Sequence, residues 1–273
     1  MASSSGRESL AEASDKLTAA MATTSTEQRT AVADEILSMA VLLRAEPRLR
    51  RALTDPSRSG LDRGDLLRSL LSGKVSEVSA SVLAGLAAGR WSRPSEILDA
   101  TERLGVDAVL TAAGRSGNLP DVEDELFRFG QIVSGSPQLA VTLSDPGASK
   151  GRRVKLVEDL LKGKAHAATV RLVEVALEGF GGRSFESSLS RLVELTAAKR
   201  DREVAYVTVA KPLDDAEEQR LSAKLSQIYG QEISLKVTVD PKVIGGVSVQ
   251  VGSDLYDGTI LRRLNEARQA FAK

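Results

Sequence analysis

Asp240-Pro241-Lys242-Val243-Ile244-Gly245-Gly246-Val247-Ser248-Val249-Gln250-Val251-Gly252 is the stretch on which the fold of this chain turns. Asp-Pro reverses the backbone, and Gly245-Gly246 permits angles that a side chain would forbid. Val247, Val249 and Val251 then alternate with Ser248 and Gln250, the period-two pattern of a strand with one buried face. Downstream, Asp257-Gly258-Thr259 leads into Ile260, Leu264, Ala267 and Phe271, spaced as one face of a helix. The paired glycines enter a strand. They fit neither the phosphate-cradling G-x-x-x-x-G-K-[ST] loop nor a G-x-G-x-x-G turn between strand and helix, which argues against nucleotide binding.

Working upstream, residues 204–210 carry three valines with Tyr206 and Thr208 and read as a strand that Pro212 ends. Asp214 offers an N-cap with Glu217 three residues on, the pattern of a capping box. The helix it opens runs to Tyr229, with Leu221, Leu225 and Ile228 on its inner face and Gly230 as its stop. Ile233, Leu235, Val237 and Val239 alternate with Ser234, Lys236 and Thr238, a strand expected to bury one face only. Residues 203–273 thus read as a small α/β domain.

The rest of the chain repeats itself. Shifted by 90 residues, Asp34-Glu35 meets Asp124-Glu125, Pro47 meets Pro137, and Leu53-Thr54-Asp55-Pro56 meets Leu143-Ser144-Asp145-Pro146. Arg63 meets Arg153, and Leu70-Leu71-Ser72-Gly73-Lys74 meets Leu160-Leu161-Lys162-Gly163-Lys164. There are 17 identities over the 63 positions from 34 to 96, without a gap. Ordinary residue usage gives roughly a third of that by chance. One helical domain is therefore present twice. Val32, Ile36, Met39, Ala40 and Leu43 form an apolar stripe, and Val122, Leu126, Phe129 and Val133 form its counterpart. Helices follow over 63–71 and 153–161, each closed by a glycine, then over 76–88 and 166–178, and a last one begins near Pro94 and near Ser184. The last helix of the first copy meets no strong breaker before Gly114, Gly105 being its one weak spot. One long helix over 95–113 is expected to close the first copy and open the second. The predicted architecture is mainly α: helical bundles at 1–98 and 99–202, then the α/β domain at 203–273.

Composition narrows the function. Basic and acidic residues balance, 37 against 37, whereas a nucleic-acid binder carries a basic excess because phosphate contacts supply most of its affinity. No nucleic-acid partner is expected. There is no cysteine and one histidine, His166, so thiolate chemistry is excluded and neither a His-based zinc site nor a Ser-His-Asp triad is expected. His166 is read as a surface or capping residue at a helix start. The acidic group Asp121, Glu123, Asp124 and Glu125 is read as the polar face and N-terminal charge of a helix. The basic runs 48–51 and 150–153 are read as solvated helix ends. Trp91, in the bend 89–94, is read as a lid on its bundle, with a partner contact as the alternative. No apolar run reaches the roughly 18–20 residues that span a bilayer, and the first ten residues carry no apolar leader core. The expected place is the cytosol or the surface of a membrane complex, with no direct membrane insertion.

Residues 239–264 resemble the C-terminal signature of the delta subunit of F-type ATP synthases, the family that includes the oligomycin sensitivity-conferring protein. The resemblance rests on Asp240, Pro241, Ile244, Gly245, Gly246, Val251, Gly252, Asp257, Gly258, Arg263 and Leu264. Upstream, Ala112-Ala113-Gly114, Gly117-Asn118-Leu119, Val122 and Glu125-Leu126 resemble the opening of that family's N-terminal bundle. The resemblance covers residues from about 100 onward. The first copy departs from the usual pattern and is similar to enlarged delta subunits of actinobacteria. Membership implies a non-catalytic stator subunit with no cofactor or metal, on the cytoplasmic face of the cell membrane in a hetero-oligomeric complex. It implies that a helical bundle grips the N-terminal segment of an alpha subunit, here expected at the second copy, and that the C-terminal part joins the b subunit. The motif residues are then structural or b-stalk contacts. The final helix, with Arg262, Arg263, Glu266 and Arg268, is a further candidate surface. The competing readings are a helical adaptor outside the ATP synthase and a small-molecule enzyme using the acidic group; the latter lacks a convergent set of residues.

Overall fold

The computed structural model describes residues 3–258 apart from 146, 242, 244 and 253. The chain divides into two compact units, Met1–Leu189 and Ser190–Lys273. The first unit holds the first helical copy and the second as far as the start of its last helix. The described residues form twelve α-helices and four strands.

The first copy opens with α1 (Ser4–Ala22), whose Ser9, Ala13, Leu17 and Met21 are buried one turn apart. This helix lies ahead of the repeat matched at 34–96, and its stripe marks it in the sequence. The helix α2 (Thr26–Ala45) begins at a Ser25/Gln28 capping box and buries Val32, Ile36, Met39, Ala40 and Leu43, the predicted stripe. It stops before Pro47: Glu46, the residue before the proline, leaves the helical region at φ −116°, ψ 82°. A short helix, α3 (Pro47–Leu53), follows. That helix in turn ends at Leu53, ahead of Asp55-Pro56. Next come α4 (Gly60–Leu71), α5 (Glu77–Ala88) and α6 (Pro94–Arg115).

The 90-residue shift maps these onto the second copy: α7 (Leu119–Ser134), α8 (Pro137–Ser144), α9 (Lys150–Leu161), α10 (Ala167–Leu177) and α11 (Phe185–Ala198), with a single 3-10 turn, Phe180–Gly182, before the last. Core positions correspond, Ile36 with Leu126, Leu53 with Leu143, and Leu83 with Val173, all at 1% exposure or less. Phe129 and Phe185 meet edge to face, with ring centroids 6.5 Å apart.

One helix serves both copies. As expected, α6 runs without interruption from Pro94 to Arg115, carrying the last helix of the first bundle into the first helix of the second. Gly105, its midpoint, is buried under Leu37 of α2; a Cβ there would lie 2.5 Å from Leu37 Cδ2. The absent side chain lets α2 approach where the copies join.

In the second unit, β1 (Arg202–Val209) pairs in parallel with β2 (Glu232–Val239) and antiparallel with β3 (Val247–Val251), which pairs antiparallel with β4 (Asp254–Asp257). The order is β2-β1-β3-β4. Parallel strands need a long crossover, here α12 (Asp215–Tyr229), opened by the Asp214/Glu217 capping box and closed by Gly230 at φ 70°. Ala205, Val207, Val209, Leu225, Ile233, Val249 and Val251 form the core, with Leu213, Leu221 and Tyr229 against it. Two expectations need correction. Ile228 is 63% exposed; Leu225 and Tyr229 take the inner positions. And β2 is not one-sided, since Ser234 and Lys236 are buried beside Ile233, as for a strand covered on both faces. The four-residue β4 carries too little pattern to be read from sequence.

Candidate interaction surfaces

The helical surface is held in place by devices that occur twice. In the first copy Glu35 on α2 accepts from the Ser76 backbone N–H at 3.0 Å and from Ser76 Oγ at 2.6 Å, fastening the start of α5. In the second copy Glu125 on α7 accepts from the His166 N–H at 2.9 Å, pairs with His166 Nδ1 at 2.9 Å and accepts from Thr169 Oγ1, fastening the start of α10. Burial pushes the Glu125 carboxyl up, but the Thr169 and His166 hydrogen bonds outweigh it and hold it below the usual range. His166 therefore sits at a helix start, as its neighbours in sequence implied. Glu125 is a tether, and Glu123 is fully buried, so that acidic group is not simply a polar face. Arginines recur likewise: Arg63 donates to the Ala87 and Asp55 carbonyls at 3.2 Å each, and Arg153 to the Leu177 and Leu143 carbonyls at 3.1 and 3.3 Å. Arg50 donates to the Arg44 carbonyl at the end of α2, 3.0 Å away. Within the basic runs, Arg50 and Arg153 thus close helix ends through their side chains. Trp91 is half-buried and donates from Nε1 to the Leu86 carbonyl at 3.1 Å, a lid on α5.

Between these fixed elements lies a cleft of about 560 Å³. Val109, Ala112 and Ala113 of α6 form its floor. Ala33 and Asp34 of α2 stand on one side, and Ala168 and Val170 of α10 on the other. Small residues on the floor let a partner's backbone approach. An ion pair between Arg171 Nε and Asp34 Oδ1, at 2.8 Å, ties the two walls. Apolar floor and charged rim suit an amphipathic helix laid along the cleft.

The motif residues converge at the two ends of β3. The Asp240 N–H donates to the Val209 carbonyl, and the Gly258 N–H to the Val247 carbonyl, both at 2.9 Å; Val209 and Val247 are themselves register partners. Asp240-Pro241, Gly245-Gly246 and Asp257-Gly258 therefore meet at one end of the sheet. Gly245 and Gly246 hold φ at 141° and 85°, which only glycine adopts without strain. Val251 is buried opposite Ala205, and Gly252 turns β3 into β4 at the other end. Beside this hairpin, Tyr229 bonds to Tyr256 at 3.3 Å and Asp254 at 3.1 Å. The Tyr256 hydroxyl, then burial and Asp254, hold the Tyr229 phenol above its ordinary range. Ile244, Arg263, Leu264 and the other final-helix residues lie outside the described residues.

Two further buried carboxylates, Glu96 and Glu102, tie distant segments together. Glu96 accepts from the Ser92 N–H at 2.9 Å and from Ser3 through its N–H at 3.2 Å and its Oγ at 3.1 Å. Glu102 accepts from the Gly181 N–H at 3.0 Å and from Arg44. Neither tether was legible in sequence, because each partner is a distant backbone or helix-end group. Among the described residues no three His, Cys, Asp or Glu side chains are grouped so as to hold a metal ion, and no helix is long and apolar enough to cross a membrane.

A family model described as ATP synthase delta (OSCP) subunit matches residues 106–271, beginning inside α6 where the second copy starts. Over all 273 residues the chain is 59% identical to the ATP synthase subunit delta of Salinispora arenicola, covering 100% of both chains. It is 42% identical to that of Streptomyces griseus, covering 98% of this chain and 99% of the relative. These relatives extend through the first copy as well. A chain in the cryo-EM structure of the Toxoplasma gondii mitochondrial ATP synthase hexamer is 16% identical with a TM-score of 0.38, covering 62% of this chain and 95% of that one; at that score it carries no weight. The match of the family model and the full-length identity to two delta subunits together mean that the chain belongs to the ATP synthase delta (OSCP) subunit family.

Proposed function

We propose that this subunit is the stator link of an ATP synthase, non-catalytic itself, which joins the alpha/beta head of F1 to the b stalk at the cytoplasmic face of the cell membrane. The observation that carries the reading is the 59% identity to a delta subunit over the full chain. Torque from the central stalk would turn the head with the rotor unless a static brace held it. A brace needs broad contact surfaces and little internal slack, and it needs no reactive group.

Two surfaces support the finer assignment. The cleft floored by α6 and walled by α10 belongs mostly to the second copy, and its apolar floor and charged rim have the chemistry for the N-terminal helix of an alpha subunit. The α/β domain is the contact for the b subunit, its motif residues shaping the hairpin that presents Leu255 and Tyr256, 63% and 49% exposed. A stable assembly of this kind buries at least about 1,000 Å² at each joint.

Ala168 is half-buried in the cleft wall. Glutamate there fills the cleft with a charge and leaves the bundle core alone. Ala168→Glu is expected to lose at least about tenfold in affinity for F1, as loss of a buried interface anchor does, while binding the soluble part of b as before. Unchanged F1 affinity removes the cleft from the reading. Failure of the unaltered chain to capture either F1 or b removes the stator assignment itself.

A further inference from the structure

The two copies fasten the turn after their fifth helix differently. In the first copy Ser9 on α1 accepts from the Arg90 N–H at 2.9 Å. In the second copy Glu102 on α6 accepts from the Gly181 N–H at 3.0 Å. Ser9 and Glu102 sit alike: Ser9, Ala13 and Leu17 are buried in α1 with the spacing of Glu102, Val106 and Leu110 in α6. A short neutral hydroxyl therefore suffices for the task. The second copy places a carboxylate there instead, with its side chain 5% exposed. Burial pushes that carboxyl above its ordinary range, and Asp99 adds to the effect, against the Gly181 N–H and Arg44. A buried charge is unfavourable unless it is paired and hydrogen-bonded.

What it does is reach the first copy. The second carboxylate oxygen pairs with Arg44 of α2, and the same guanidinium donates to the Glu178 carbonyl at the end of α10. One arginine of copy one thus bridges the shared helix and the last turn of a copy-two helix, where a cation also suits the helix dipole. Alongside, α2 and α10 are not tightly packed. A cavity of about 370 Å³, lined by Leu37, Val41, Val154 and Val175 among others, lies between them. Apolar packing alone leaves this seam slack. Besides the continuity of α6, the copies are joined there by the Asp34–Arg171 pair of α2 and α10, whose half-exposed charges hold an angle only weakly.

We propose that Glu102 and Arg44 form a clasp that fixes the angle between the two helical copies, so that the duplicated region acts as one stiff lever rather than two bundles on a common helix. The clasp sets geometry and adds little to stability, because a buried ion pair gives back in desolvation much of what it gains in attraction. The inference concerns the isolated chain and holds whichever partners the surfaces take.

The chain has no cysteine, so a spin-label pair can be introduced at the exposed positions Ser69 and Gln138, one on each copy, by Ser69→Cys and Gln138→Cys. In the otherwise unaltered full-length chain the label-to-label distance distribution is narrow. Glu102→Ser installs the residue of the first copy and removes the clasp without leaving a buried charge; Arg44→Met removes its other half at a position 35% exposed. Both are expected to broaden the distribution; Glu102→Ser keeps a thermal midpoint close to the parent, whereas Arg44→Met lowers it because Glu102 is left buried without its cation. Lys150→Met, which breaks the Lys150–Glu178 pair within copy two, leaves it narrow. A distribution as narrow in Arg44→Met as in the parent overturns the clasp, as does broadening by Lys150→Met to the same extent.

Discussion

Three donors converge on the carboxylate of Glu96, which is 3% exposed. Burial alone pushes its carboxyl up. The Ser92 N–H, the Ser3 N–H, the Ser3 hydroxyl and Arg93 together reverse this, and the group is held below its ordinary range. A carboxylate depressed in the folded state adds stability above the unfolded value, about 4.3; that stability fades as pH falls through the folded value. Glu96→Gln is therefore expected to lower the urea-unfolding free energy at pH 7 by about 1–3 kcal/mol. The gap to the parent should close as the pH is taken below about 4. A gap that persists or widens in acid contradicts the assignment. Nothing in the local sequence announces this residue: Ser3 is 93 positions away, and a glutamate in the first turn of a helix normally reads as surface charge. Gly245-Gly246 was legible because its constraint is local. A positive φ asks for glycine whatever lies nearby.

At the scale of the element, α6 decides the architecture, and two opposed effects meet at its midpoint. Alanine is the better helix former than glycine by about 1 kcal/mol. At position 105, though, its Cβ would fall 2.5 Å from Leu37 Cδ2 and 2.8 Å from Cγ. Leu37 is itself buried at 6% exposure, and since its Cγ as well as its Cδ2 stands in the way, the whole side chain would have to give up its packing and swing toward the cavity it lines; overpacking costs typically about 1–3 kcal/mol. The clash should win: Gly105→Ala is expected to lower the denaturation midpoint although it raises helix propensity, and a raised midpoint would mean that α2 can shift at no cost. That α6 is one helix could be read from the lack of a breaker between Pro94 and Gly114. Why a glycine sits inside it could not, because the reason is a leucine 68 positions away. The same limit explains Ile228. A helical stripe names the face but not its edges, and of α12 it is Leu221, Leu225 and Tyr229 that pack into the core.

For the molecule as a whole, the duplication was plain in the sequence because it survives in residue identities, and the second unit because strand alternation and capping signals are local. What joins the copies left no pattern, since Arg44, Glu102 and Gly181 come from three separate elements. Nature has placed one reporter in each copy: the single tryptophan, Trp91, and the single histidine, His166. With α6 common to both and α2 tied to α10 by Asp34–Arg171, the copies share too much structure to melt separately. Trp91 fluorescence and the His166 ring proton signals are expected to give the same urea midpoint, the mark of one cooperative unit. Two midpoints would make the copies independent domains.

The overlap of the copies in α6 also bears on how such a chain changes length. The helices α1 and α6 both stop just before the next helix begins, at Ala22 before Thr26 and at Arg115 before Leu119. Their buried residues keep the same phase. A genetic crossover between the two segments would splice helix onto helix without a frame of mismatch, so that the gene can gain or shed a bundle in one event and never passes through a half-built intermediate.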